Sequence, residues 1–231
     1  MTIPKTVETW RNSLDNYFQY KDRFPHLEFD TNTGWGWLPP NDEVFDAFNY
    51  VKKFVDPKRI LEIGYYRGHS TSYLADVFPD AHIVSSSPRH EKWKESHQAT
   101  QEFGKGRIEI IPVPSPSVIH YLPDVHDVKL GGFDFAFIDG SHMTYDVYSD
   151  IHVALRLEIP YMMFDNADQT GVADAIGWYV AHGCLEKIAS FTYKGLSKGK
   201  YKDNDLTLFR NISEKIYRGA DQRVYRDIMH I

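Results

Sequence analysis

The groups able to do chemistry sit at the ends of two apolar segments. Asp139 and His142 close Phe137-Ile-Asp139-Gly-Ser-His142, and Asp165 and Asn166 close Met163-Phe-Asp165-Asn166-Ala-Asp168. Two carboxylates and an amide carbonyl are hard oxygen donors, suited to Mg²⁺, Mn²⁺ or Ca²⁺ with positions left for water or substrate oxygens. Zinc would call for softer or more nitrogen-rich ligands, and Cys184 is the single cysteine of the chain. A cation held by Asp139, Asp165 and Asn166 would lower the pKa of a hydroxyl and orient its oxygen. His142, with an ordinary pKa near ~6.5, would then accept the proton at neutral pH. The plainer alternatives are that Asp139 and Asp165 cap the helices that follow, and that His142 is a structural hydrogen bonder.

A second feature lies upstream, in Arg59-Ile-Leu-Glu-Ile-Gly-Tyr-Tyr-Arg-Gly-His-Ser-Thr71. A buried strand leads to Gly64 and Gly68, four residues apart, and then to a helix start. Glycines at that junction let the backbone turn sharply and approach a ligand, while the N–H groups of the helix start favour an anionic group such as a carboxylate. A plain strand-to-helix turn is the alternative. The spacing Glu62-x-Gly64-x-x-x-Gly68 is not the dinucleotide fingerprint, and the chain has no P-loop, no G-x-S-x-G elbow and no H-E-x-x-H.

Short β-branched runs alternating with helical stretches must position these groups. The expected strands are 59–63, 81–85, 107–111, 133–138 and 159–164, and the expected helices are 69–78, 89–103, 117–122, 145–156 and 172–182. Such alternation predicts an α/β fold, a parallel sheet with helices on both faces. All the strand ends named above then fall on one edge. After Gly183 the residues 185–193 and 205–210 read as an antiparallel pair joined by a polar Gly- and Lys-rich loop, in which Lys194, Lys198, Lys200 and Lys202 are solvated or, alternatively, form a handle for an anionic substrate.

Three parts are expected: an N-terminal helical cap or lid over 1–50, a main domain over 51–212, and a C-terminal helical tail over 213–231. Trp35 and Trp37, beside Gly34 and Gly36 in the cap, offer a flat apolar platform above the site. The tail would pack on the domain or on a second subunit, making a homodimer. The local group His120, Asp124, His126 and Asp127 follows no ligand spacing and reads as a solvated turn.

With 26 Lys and Arg against 32 Asp and Glu, the net charge of −6 leaves no broad cationic face for duplex nucleic acid. The lone cysteine fits a reducing compartment, and no long apolar run or signal h-region is present. The expectation is a soluble, cytoplasmic protein that acts on a small molecule and has no membrane partner.

The segment LEIGYYRG, with its E-x-G-x-x-x-G core, resembles the first motif of the class I S-adenosylmethionine-dependent methyltransferases. The resemblance runs from about Pro57 to Arg210. It implies a Rossmann-like, mostly parallel seven-stranded sheet with the C-terminal antiparallel hairpin at its edge. It also assigns Glu62, Gly64, Tyr65, Gly68, His69, Ser70, Ser87 and Ser115 to S-adenosylmethionine. Gly64 and Gly68 would lie against the methionine part, and Glu62 would help orient it by hydrogen bonds. The family usually ends its second strand with an acidic residue that binds the ribose hydroxyls. This chain has Ser87 there, which would bind the ribose more weakly or serve as a helix N-cap before Pro88.

The carboxylate pair is similar to that of the metal-dependent O-methyltransferases of the catechol and caffeoyl-coenzyme A type. Asp139-Gly-Ser-His142 is similar to the D-x-x-H stretch of bacterial sugar and macrolide O-methyltransferases. What these resemblances imply is methyl transfer to a hydroxyl oxygen of a sugar, polyketide or catechol-like acceptor. Asp139, Asp165 and Asn166 would hold a divalent cation, most simply Mg²⁺, and His142 and Asp139 would be catalytic. A metal-independent methyltransferase and a non-catalytic binding protein on the same fold are the competing expectations.

Overall fold

Alternation of strands and helices governs the described residues, which in this computed structural model are 20–27, 38–86, 94–114, 132–197 and 200–213. In chain order the elements are α1 (Asp42–Phe54), β1 (Arg59–Ile63), α2 (His69–Val77), β2 (His82–Ser86), α3 (Lys94–Phe103), β3 (Ile108–Ile111) and β4 (Phe135–Ile138). They continue with α4 (Thr144–Arg156), β5 (Tyr161–Asp165), α5 (Thr170–Ala181), β6 (Leu185–Ser197) and β7 (Lys200–Asn211). The seven strands form one sheet in the order β3-β2-β1-β4-β5-β7-β6. The first five are parallel, and β7 enters antiparallel between β5 and β6. This is the Rossmann-like methyltransferase order, mostly parallel with an antiparallel C-terminal hairpin.

Strand composition explains the two cores. Along β1, Ile60 faces one layer with Phe135, Phe137, Ile83 and the apolar stripe of α1. Leu61 and Ile63 face the other, with Ala136, Ile138 and the inner sides of α4 and α5. Strands buried on both faces need apolar residues of either parity, which RILEI, FAFI and YMMF supply.

The N-terminal part departs from expectation. Helix α1 runs without a break through the expected boundary at residue 50, because Asn41 caps it by accepting the Val44 N–H at 3.0 Å and its acidic first and basic last turns suit the helix dipole. Its buried stripe of Val44, Phe45, Phe48 and Val51 joins the sheet core, as do Tyr20, Phe24 and Leu27. The described portion of 1–50 therefore packs into the core of the main domain. Arg23 reinforces the attachment by pairing with Asp76 of α2.

The late hairpin also departs from its expected outline. Its strands continue through 194–197 and 200–204, where a solvated loop was expected, and Lys194 is a strand residue paired in register with Asp203 and bridged to it. Polar side chains suit this stretch because an edge ribbon exposes one face to water. Ser87, Ser115, Trp10, Trp35, Trp37, Trp93, the expected helix at 117–122, the His120–Asp127 group and the tail beyond Ser213 lie outside the described residues. Among the described residues no helix is long and apolar enough to cross a membrane.

Candidate active site

The chain steps from β1 through β2 to β3 in one direction and then crosses back to β4 on the other side of β1, so the carboxyl end of β1 borders a crevice of the kind that binds ligands in open α/β sheets. The glycine loop lies there. Gly64 and Tyr65 donate their N–H groups to the Ser86 carbonyl at 3.2 and 3.0 Å, fastening the loop to the end of β2. Gly64 has φ +116°, and a Cβ on it would stand 2.0 Å from the Asp139 carbonyl oxygen. The first glycine thus lets the loop after β1 pass directly against the loop after β4.

Gly68 starts α2 from a left-handed conformation, φ +83°, and its carbonyl accepts from the Ser72 N–H at 2.9 Å. A Cβ here would meet Thr100 Oγ1 at 2.3 Å and Tyr65 Oη at 2.8 Å. The space beside the Gly68 Cα is filled by Tyr65 and by Thr100 of α3, so packing alone already calls for a glycine there. Tyr65 itself is buried, with Oη donating to Thr100 Oγ1 at 3.1 Å, and burial pushes its phenol up to about 12.

Glu62 is fully buried, and its carboxylate accepts Ser70 Oγ on one oxygen and Thr71 Oγ1 and Ser85 Oγ on the other, each at 2.5 Å. Burial raises its pKa while the three hydroxyls oppose that rise. Accepting from the start of α2 and from β2, Glu62 holds the loop from beneath. Ser70 is spent on the same contact, and His69 is buried beside it.

Strand register brings the second group together. Ile138 of β4 pairs with Phe164 of β5, so the next residues, Asp139 and Asp165, stand at the same height on adjacent parallel strands. His142 Nε2 lies 3.8 Å from Asp139 Oδ1. One ligand atom from each of Asp139, His142 and Asp165 falls within 4.8 Å of the others. Burial raises the pKa of both carboxyls, and the Asp139 charge pushes Asp165 further, well above the usual carboxylate range. That is a donor set which a divalent cation would relieve, so the residues present fit one.

Asn166 adjoins the group. It sits in a left-handed conformation, φ +53°, and its Nδ2 donates to Asp165 Oδ2. For its oxygen to join the donor set the amide would have to turn over. The other Asp165 oxygen accepts the Tyr193 phenol at 2.5 Å. Tyr193 was missed in the sequence, where only its place in a β-rich run was visible. Asp205 of β7 steadies the loop below, accepting the Asp168 N–H at 2.9 Å while its carbonyl accepts the Asn166 N–H at 2.8 Å.

Comparison with known proteins agrees with this architecture. Residues 61–160 match the family described as "Methyltransferase domain". A caffeoyl-CoA O-methyltransferase from Mesembryanthemum crystallinum is 27% identical over 117 residues, covering 49% of this chain and 45% of the relative, less than half its length. Among solved structures, an O-methyltransferase from Bacillus cereus in complex with SAH has a TM-score of 0.58 at 17% identity, over 87% of this chain and 91% of that one. The O-methyltransferase TomG from Streptomyces achromogenes, in complex with SAM, has a TM-score of 0.54 at 18% identity, over 86% and 89%. At those identities the structures speak for the fold. Residues 61–160 are thus similar to a methyltransferase domain, and the whole described sheet has the fold of these O-methyltransferase structures.

Proposed function

We propose that the protein transfers a methyl group from S-adenosylmethionine to a hydroxyl oxygen of a small molecule with the help of a divalent cation. The observation that carries this reading is the Asp139–His142–Asp165 group, set beside the glycine loop at the carboxyl edge of the sheet. S-adenosylmethionine, when bound, supplies an electrophilic methyl on a sulfonium sulfur. A cation held by Asp139 and Asp165 would make the acceptor hydroxyl more acidic and fix its oxygen.

The chain's own groups divide the remaining work. Of the three, His142 has the most exposed side chain, 31% against 16% for Asp139, with Asp165 buried. The His142 imidazole takes the hydroxyl proton as the carbon–oxygen bond forms and the carbon–sulfur bond breaks, leaving S-adenosylhomocysteine. Asp139, 3.8 Å away, steadies the imidazolium so formed. Burial of the carboxylates keeps competing water away from the oxygen. Met143 and Tyr145, 69% and 77% exposed, follow His142 and offer apolar surface suited to a phenolic, polyketide or sugar ring face. The net charge of −6 supports a small acceptor over duplex nucleic acid.

The donors already held by both Asp165 oxygens, Tyr193 and Asn166, favour a second reading, in which Asp139 and His142 work as a metal-independent pair. One experiment separates the two. The protein is incubated with methyl-labelled S-adenosylmethionine and a panel of catechols, hydroxycinnamoyl thioesters and sugar hydroxyls, with Mg²⁺ or with a chelator. Label on an acceptor oxygen that chelation abolishes supports the cation reading, label that persists under chelation supports the pair alone, and no label on any hydroxyl refutes oxygen transfer to these classes.

A further inference from the structure

Tyr193 lies on β6, separated from β5 by the whole of β7, and is 28 residues from Asp165 in sequence. Opposite it in register is Asn204, whereas Asp165 stands opposite Leu206, so the phenol reaches diagonally across β7. Its ring is buried on the layer that holds Met163, Leu206 and Leu208. A phenylalanine would fill that layer equally well. The hydroxyl is what the packing does not require, and it is spent on Asp165 Oδ1 at 2.5 Å.

The contact is part of a closed set. Asn166 Nδ2 donates to Asp165 Oδ2 and lies 3.5 Å from Tyr193 Oη, so each oxygen of Asp165 carries a donor and the two donors touch each other. Tyr193 is in turn held at its height by the neighbouring residue: Asn41, the cap of α1, donates Nδ2 to the Lys194 carbonyl at 3.2 Å. A carboxylate braced from both oxygens has one orientation left, the one that faces Asp139 and His142 within 4.8 Å. Outer hydrogen bonds of this type fix ligating carboxylates and tune the ions they hold.

We propose that Tyr193 is a positioning residue which, by locking the orientation of Asp165, sets the affinity of the Asp139–Asp165 site for a divalent cation. This rests on the cation reading given above. Because Tyr193 acts through Asp165, its removal weakens the ion while leaving the cofactor side of the crevice untouched, at β1, four strand positions from β6.

The test uses the full chain and Mn²⁺ alone as the probe, with titration calorimetry. Tyr193→Phe is compared with the unchanged protein and with Tyr179→Phe, which removes a phenol that donates to the Tyr148 carbonyl at 3.2 Å on the other layer. The expected result is Mn²⁺ binding about 10- to 100-fold weaker in Tyr193→Phe and unchanged in Tyr179→Phe. S-adenosylhomocysteine affinity should match the unchanged protein in both, which also certifies folding, and turnover of Tyr193→Phe should recover when Mn²⁺ is raised in proportion. If the unchanged protein binds Mn²⁺ and Tyr193→Phe binds it equally well, the positioning role is overturned while the cation reading stands. If the unchanged protein binds no Mn²⁺, both fall together. If Tyr193→Phe loses S-adenosylhomocysteine as well as Mn²⁺, the phenol is a general structural support and the proposal is overturned.

Discussion

Glu62→Ala withdraws one carboxylate from beneath the glycine loop and leaves the hydroxyls of Ser70, Thr71 and Ser85 without their acceptor. All three are buried, so water cannot take the vacant role without opening the junction of β1, β2 and α2. Each hydrogen bond contributes about 1 kcal/mol net, and the emptied side-chain volume adds to the loss, giving roughly 3–5 kcal/mol in total. For a chain of this size each kcal/mol moves the melting temperature by about 2–4 °C, so a fall on the order of 10 °C or more is expected. Glu62→Gln should lose far less, because an amide oxygen accepts two of the hydroxyls and the third can rotate to accept from the amide nitrogen. The assay is thermal unfolding of the unliganded protein, with S-adenosylhomocysteine calorimetry at a temperature where both variants are folded. A Glu62→Ala protein that melts within a degree or two of the original yet loses the ligand would refute this reasoning and restore Glu62 as a direct cofactor contact.

Gly64→Ala forces a Cβ to within 2.0 Å of the Asp139 carbonyl at a positive φ, so it should both lower stability by about 2 kcal/mol or more and weaken Mn²⁺ binding by displacing Asp139; calorimetry and thermal melts check both halves. Asp139 and Asp165 have folded pKa values raised above the ordinary carboxylate range, chiefly by burial, so their contribution to stability is complete below about pH 4 and is lost as pH rises through the folded values. Mg²⁺ favours the ionised pair, so its stabilising effect should grow with pH across that same window; a Mg²⁺ shift that is flat or shrinks with rising pH would remove the pair from the cation site. His142→Gln should lower turnover and flatten its pH dependence near neutrality while S-adenosylhomocysteine affinity holds, and steady-state kinetics over pH 5.5–8.5 decide it. Asn41→Ala removes the cap of α1 and its tie to Lys194, and should cost about 1–2 kcal/mol, read as a melting shift of several degrees.

The sequence by itself determined where the strands and helices lie and which of them end in chemistry. β1 occupies the five residues that the apolar run RILEI marked out, and β5 ends on Asp165, because a strand buried on both faces must be apolar throughout and stops where polarity begins. The glycine loop was legible for a similar reason, since two glycines between a buried strand and a helix leave few other backbone paths. The hairpin was visible as a pair, though its length was not, because an exposed edge ribbon tolerates the same polar residues as a loop.

What the tertiary structure alone decided is which side chain each of these groups meets. Glu62 in an apolar strand announces a buried carboxylate, but that its partners are Ser70, Thr71 and Ser85 depends on β2 lying beside β1 and α2 docking across them. The need for glycine at position 68 comes from Thr100, 32 residues later, through the packing of α3. Asp139 and Asp165 meet because Ile138 registers with Phe164, and Tyr193 reaches Asp165 across a strand that comes later in the chain than either. Local pattern reports what a segment buries and where it ends, whereas hydrogen bonds between side chains distant in sequence are set by register and docking, which no single segment encodes.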